Sequence, residues 1–73
     1  MSGGAYKIVE IVGTSPDSWE AAARAAIEEA AKSLQDVRIA EVVKMDVRVE
    51  ENKIVEFRTR VALSFKYHKE LHA

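Results

Sequence analysis

Phe57-Arg58-Thr59-Arg60-Val61-Ala62-Leu63-Ser64-Phe65-Lys66-Tyr67 is the stretch that decides the fold. Every odd position is apolar or threonine, whereas Arg58, Arg60, Ser64 and Lys66 stand between them. That period of two is the signature of a strand with one buried and one wet face. Upstream, Val43, Met45, Val47 and Val49 alternate in the same way with Lys44, Asp46, Arg48 and Glu50. Glu51-Asn52 between the two runs reads as a hairpin turn, so the strands are expected to pair antiparallel. Ala40 and Val42 flank Glu41 in the earlier part of this strand, and Val42 and Val43 are adjacent, a phase change that one β-bulge explains. With Ala40 and Val42 turned toward the core, Val37, Ile39 and Glu41 are expected on the opposite face, beside Arg58 and Arg60.

Working back toward the N-terminus, apolar residues recur at Trp19, Ala22, Ala23, Ala26, Ile27, Ala30 and Leu34, one stripe of an amphipathic helix. Ser18, or Ser15 followed by Pro16, is the expected N-terminal cap, and Glu20 suits the positive end of the helix dipole. Glu20 with Arg24 and Glu28 with Lys32 are spaced for i,i+4 pairs on the solvated face, each contributing about 0.2–0.5 kcal/mol. A stripe that is mostly alanine lets the helix approach a sheet closely, with Trp19, Ile27 and Leu34 as its bulky anchors. Before it, Tyr6 to Val12 is a short β-branched run closed by the turn formers Gly13 to Ser18, which reads as a first strand and its exit loop. The expected fold class is α+β: a β-α-β-β subunit with a three-stranded antiparallel sheet wrapped around one helix. The chain reads as a single domain over residues 1–73, with an ordered core of about residues 5–67 between polar termini.

With 73 residues, 48% hydrophobic and 32% charged, the composition is that of a soluble globular protein. Eleven basic against twelve acidic side chains give a net charge of -1, which offers no electrostatic reason to expect nucleic acid or an anionic membrane as partner. No apolar run approaches the roughly 20 residues of a membrane span, and the first four residues lack the pattern of an export signal, so a cytoplasmic location is expected. A chain without cysteine has no disulfide, thiolate nucleophile or thiolate-bound metal. A domain of about 60 residues buries only roughly 60% of the surface its unfolded chain exposes, so other copies of the chain are expected to contribute to stability.

No enzyme is expected. Both histidines, His68 and His72, lie in the polar tail, the serines have no histidine base, and the carboxylates occur singly on solvated faces. The i,i+4 spacing of His68 and His72 fits a helical metal pair, but no acid stands near it in a catalytic motif. Gly3-Gly4 and Gly13 match no phosphate-binding loop, and Trp19 belongs to the packing stripe. The face carrying Val37, Ile39, Glu41, Arg58 and Arg60 is the functional candidate, because mixed charges and exposed aliphatic groups suit burial between subunits, where Glu41, Glu56, Arg58 and Arg60 could pair. The alternative is an ordinary wet sheet face.

Three blocks of the chain, Gly13 to Ala22 (GTSPDSWEAA), Asp36 to Val43 (DVRIAEVV) and Arg58 to Phe65 (RTRVALSF), together resemble the dodecin family. The resemblance covers about Tyr6 to Lys66. It implies a βαββ subunit assembling into a hollow homododecamer that binds flavins as a store or quencher. In flavin-binding members a tryptophan near the start of the second strand stacks on the isoalloxazine ring and a glutamine in the third strand bonds its polar edge; Ile39 and Arg58 stand at those positions here. A stacking ring contributes about 1–3 kcal/mol by analogy with bases on aromatic side chains, so losing two in a symmetric clamp weakens binding by about 30-fold to more than 10⁴-fold. Arginine offers only donors and a fixed charge where glutamine offers both donor and acceptor. Asp46 occupies the position at which some members place an arginine for a flavin phosphate. The aliphatic residue, the arginine and the block Ser18-Trp19-Glu20-Ala21-Ala22-Ala23 are closer to the calcium-binding dodecins. The resemblance thus implies a non-enzymatic shell for a small ligand, with calcium as candidate cargo, flavin (riboflavin or FMN) weakened or absent, and coenzyme A binding or a ligand-free shell as alternatives. Its candidate ligand-binding residues are Ile39, Arg58, Glu41, Asp46, Arg38 and Ala40, and it assigns no metal ligands.

Overall fold

The computed structural model describes residues 4–66, ordered as β1 (Tyr6–Ser15), α1 (Trp19–Ala31), β2 (Val37–Glu50) and β3 (Lys53–Lys66). The three strands form one antiparallel sheet in the order β1-β3-β2, with the decisive third strand at its centre. Tyr67, His68 and His72 lie outside the described residues. Among the described residues, no helix is long and apolar enough to cross a membrane.

The first strand runs past Val12 to Ser15, through the Gly-Thr-Ser segment that reads as a loop. The reason is at Gly13, which pairs with Thr59 on the helix-covered face. A Cβ at Gly13 would lie 1.9 Å from the Ala22 carbonyl oxygen and 2.9 Å from the Ala26 Cβ. The helix backbone therefore rests almost directly on the strand. Ser18 caps the helix by accepting the Ala21 N–H at 3.0 Å, while the Ser15 hydroxyl accepts the Asp17 N–H at 3.0 Å. The expected Glu20–Arg24 pair forms at 3.6 Å, but Lys32 binds Glu29 rather than Glu28, at 3.1 Å. Lys32 is already the C-cap, where the turn no longer aligns i with i+4.

Beneath the helix, Ala26, Val61 and Leu63 form the core, with Ile11, Ala23, Ile27, Ala30 and Leu34 packed against it. Leu34 serves as an anchor from beyond the end of the helix. Buried Thr59 donates its hydroxyl to the Trp19 carbonyl at 2.9 Å, tying the start of the helix to the central strand.

The hairpin turns at Glu51 and Asn52, both with positive φ (52° and 65°), as a tight two-residue connection requires. The register shifts between Val42 and Lys44, which leaves Val43 as the extra residue of the expected bulge. Two further shifts have no counterpart in the sequence reading. One lies between Val37 and Ile39, and it turns Val37 onto the helix side, where it packs against the core instead of joining Ile39 and Glu41. The other lies between Arg48 and Val49 and skips Val55 on β3.

Candidate functional site

The face of the sheet away from the helix is set by these registers. Ile39 lies opposite Ser64 and Glu41 opposite Ala62; beyond the Val43 bulge, Lys44 lies opposite Arg60, Asp46 opposite Arg58 and Arg48 opposite Glu56. A regular hairpin closed at Glu51-Asn52 would set Asp46 opposite Phe57 and Val47 opposite Glu56. The shift at Val55 instead aligns charge with charge.

Arg58 grips Asp46 with two parallel bonds, Nε to Oδ1 at 2.7 Å and Nη2 to Oδ2 at 2.9 Å, the bidentate fork that is the stronger form of an arginine–carboxylate pair. These bonds hold the Asp46 carboxyl below the usual carboxylate range; the charges of Arg58, Lys44 and Arg60 act in the same direction, and desolvation opposes them. The same pair raises Arg58, and bonding to Glu56 with the charge of Glu50 raises Arg48. Arg48 reaches Glu56 at 3.0 Å and also binds Glu50, while Arg60 reaches across to Glu10 of β1 at 3.4 Å. Glu56, Arg58 and Arg60, expected to pair between subunits, are thus paired within the chain. Glu41 has no ion pair among the described residues.

Trp19 supplies a contact that sequence reasoning missed. Its indole N–H donates to the Asp46 carbonyl at 2.9 Å, and its ring meets Phe57 edge-on at 5.1 Å between centroids. Unlike Ile27 and Leu34, Trp19 stands outside the core cluster and is 39% exposed; it packs on Phe57 at the rim and fixes the backbone of Asp46 from the helix side. Only a phase relation between strand and helix could have signalled this, and the bulges conceal it.

The candidate ligand residues do not converge within one chain. Ile39 is 59% exposed, and on β3 its partner Ser64 is six residues from Arg58, roughly 20 Å at about 3.3 Å per residue. Ala40 pairs with Leu63 on the helix side, so its side chain turns away from Ile39 and Arg58. Arg38 is the unpaired residue of the first register shift, exposed at the start of β2. Among the described residues, no three acidic or histidine side chains cluster as a metal site. A small cavity of about 50 Å³ is lined by Val12, Lys44, Asp46, Arg58 and Arg60. The larger groove, about 570 Å³ between β1 and the helix, has Glu29 as its single ionisable lining residue and offers a packing surface rather than chemistry.

Comparison with known proteins fits this geometry. The family model for dodecin matches residues 5–68. The chain is 41% identical over 61 residues to calcium dodecin of Mycobacterium tuberculosis, covering 84% of this chain and 86% of that protein. Among solved structures, dodecin from Streptomyces coelicolor superposes with a TM-score of 0.87 at 29% identity, covering 94% of this chain and 99% of the other. The structure of the Mycobacterium tuberculosis calcium dodecin, described as a calcium-chelating antigen with a novel calcium-binding site, superposes with a TM-score of 0.79 at 38% identity, covering 89% and 93%. Matched along nearly its whole length in both sequence and β-α-β-β architecture, the chain belongs to the dodecin family.

Proposed function

We propose that the chain is one subunit of a hollow homododecamer that holds a small ligand without chemical turnover, with calcium rather than flavin as its cargo. The observation that carries this reading is the length of sheet left bare. The subunit measures 56 × 21 × 15 Å with a radius of gyration of 15.2 Å, against about 11 Å for a compact chain of this length. Its 13-residue helix spans only about 20 Å. Met45, Val49, Ile54 and Val55 are exposed along the hairpin, a pattern that other copies of the chain would cover.

Ile39 presents aliphatic surface where a flavin needs a stacking ring, and Arg58 is committed to Asp46. Neither favours isoalloxazine. A ligand touching both would have to be shared between subunits, given their separation along the sheet. Calcium takes six to eight oxygen ligands, a set that the described residues of one chain do not gather: Glu10, Asp46 and Glu56 are each paired with an arginine. Donors would have to come from several subunits, with Glu41 as the acid available on this face. The similarity to calcium dodecin supports this cargo.

Light scattering of the purified protein tests the assembly, and a monomer at micromolar concentration overturns it. Riboflavin fluorescence should remain unquenched, and calcium should raise the melting temperature of the oligomer through preferential binding to the folded state. Quenching overturns the exclusion of flavin; a melting temperature indifferent to calcium overturns the cargo.

A further inference from the structure

Lys44 and Asp46 on β2 face Arg60 and Arg58 on β3, two successive cross-strand pairs on one face. The four side chains occupy the corners of a patch about 5 by 7 Å, and Val12 of β1 closes one side of the cavity between them. Three corners are cationic and the fourth is a carboxylate. Arg60 is partly engaged by Glu10 at 3.4 Å, and Lys44 has no ion pair among the described residues. The remaining space of about 50 Å³ is large enough to admit water.

We infer that the Asp46 carboxylate is a built-in counter-anion filling an oxyanion site formed by Lys44, Arg58 and Arg60, and that it keeps phosphate-bearing ligands off this face. A carboxylate presents two oxygens to the Arg58 fork, the geometry in which a phosphate would bind the same guanidinium. Its position is fixed twice, by the fork on the side chain and by the Trp19 indole on the backbone carbonyl. The Arg58 hydrogen bonds hold this carboxyl below the usual carboxylate range, and the charges of Arg58, Lys44 and Arg60 act in the same direction against desolvation. An entering phosphate therefore meets a resident negative charge and must displace it from the Arg58 fork. Neutralising Asp46 leaves the backbone bond in place and removes the counter-charge from three cations that already face solvent. The inference sharpens the ligand preference of the proposed shell and rests on this face remaining open to solvent within it.

The test titrates inorganic phosphate, against chloride at matched ionic strength, into the assembled wild type and into Asp46→Asn, with binding read by calorimetry. The wild type should show no phosphate-specific binding. Asp46→Asn should gain it, with at least a tenfold lower Kd, and Asp46→Asn/Arg58→Gln should lose it again. Equal phosphate affinity in wild type and Asp46→Asn, or silence in both, overturns the inference. If Asp46→Asn does not assemble, Asp46→Ser, equally uncharged and smaller, is read in the same way. Light scattering on each sample reports assembly separately, so a failed shell and a failed oxyanion site are distinguishable.

Discussion

Val61 and Leu63 are sealed beneath the helix, while Met45, Val49 and Ile54 stay more than half exposed on the same sheet. Both regions carry apolar residues at alternate positions, and both pair antiparallel across a register shift. The difference lies in what covers them. At one end Gly13, Ala22 and Ala26 bring the helix backbone down onto the strands; along the hairpin arm, among the described residues, no element lies above the exposed apolar side chains. Alternation thus specifies a strand and its two faces, but burial needs a covering layer, which the helix supplies for only part of the sheet.

The largest effect is expected from Gly13→Ala. Its Cβ would meet the Ala22 oxygen at 1.9 Å, so the helix must lift off, and the cost should exceed the usual ~1–3 kcal/mol of overpacking. Circular dichroism during denaturation should show a subunit with little or no cooperative transition; a stable variant would mean that the covered end does not depend on close approach. Next, Val49→Asp with Ile54→Asp should leave β-sheet circular dichroism intact and abolish assembly in sedimentation. Retained assembly would break the contrast, because the bare arm would then need no partner.

Leu63→Ala should destabilise the folded subunit by about 2–5 kcal/mol, the range for a fully buried leucine that leaves a cavity, whereas Met45→Ala on the arm should change the stability of the isolated subunit far less. Comparable losses in urea titrations would erase the distinction between the two regions. The smallest effect is at Asp46. Its folded-state carboxyl is held below the ordinary range, so its contribution is complete above the unfolded value and disappears as pH falls through the folded one. Wild type should accordingly exceed Asp46→Asn in melting temperature at neutral pH, with the gap closing in acid below the ordinary carboxylate range. A gap that persists there would assign the difference to packing rather than charge.

Much of the architecture is legible in the sequence because it depends on local period. The alternation from Phe57 onward, the alanine stripe, the Ser18 cap and the Glu51-Asn52 turn each write an element directly. The Val42-Val43 bulge is legible too, since two adjacent valines break phase. The shifts at Arg38 and Val55 are not, because Val37, Ile54 and Val55 are acceptable on either face until a partner strand fixes the register. For that reason Val37 moves to the core, and Asp46 finds Arg58 rather than Phe57. The candidate site was legible in composition, as a mixed-charge sheet face, but not in its pairing: the arginines there find acids within the chain.

The sequence by itself determined the order of elements, the two-faced character of the strands and the block pattern shared with dodecins, because these follow from residue spacing and backbone preference. Only the tertiary structure decided which charges meet, that Trp19 reaches across to the Asp46 carbonyl, and how much of the sheet the helix leaves uncovered. Those outcomes depend on register and on distance between segments far apart in the chain. A single skipped residue in one strand exchanges every cross-strand partner beyond it, and local propensity carries no record of that choice.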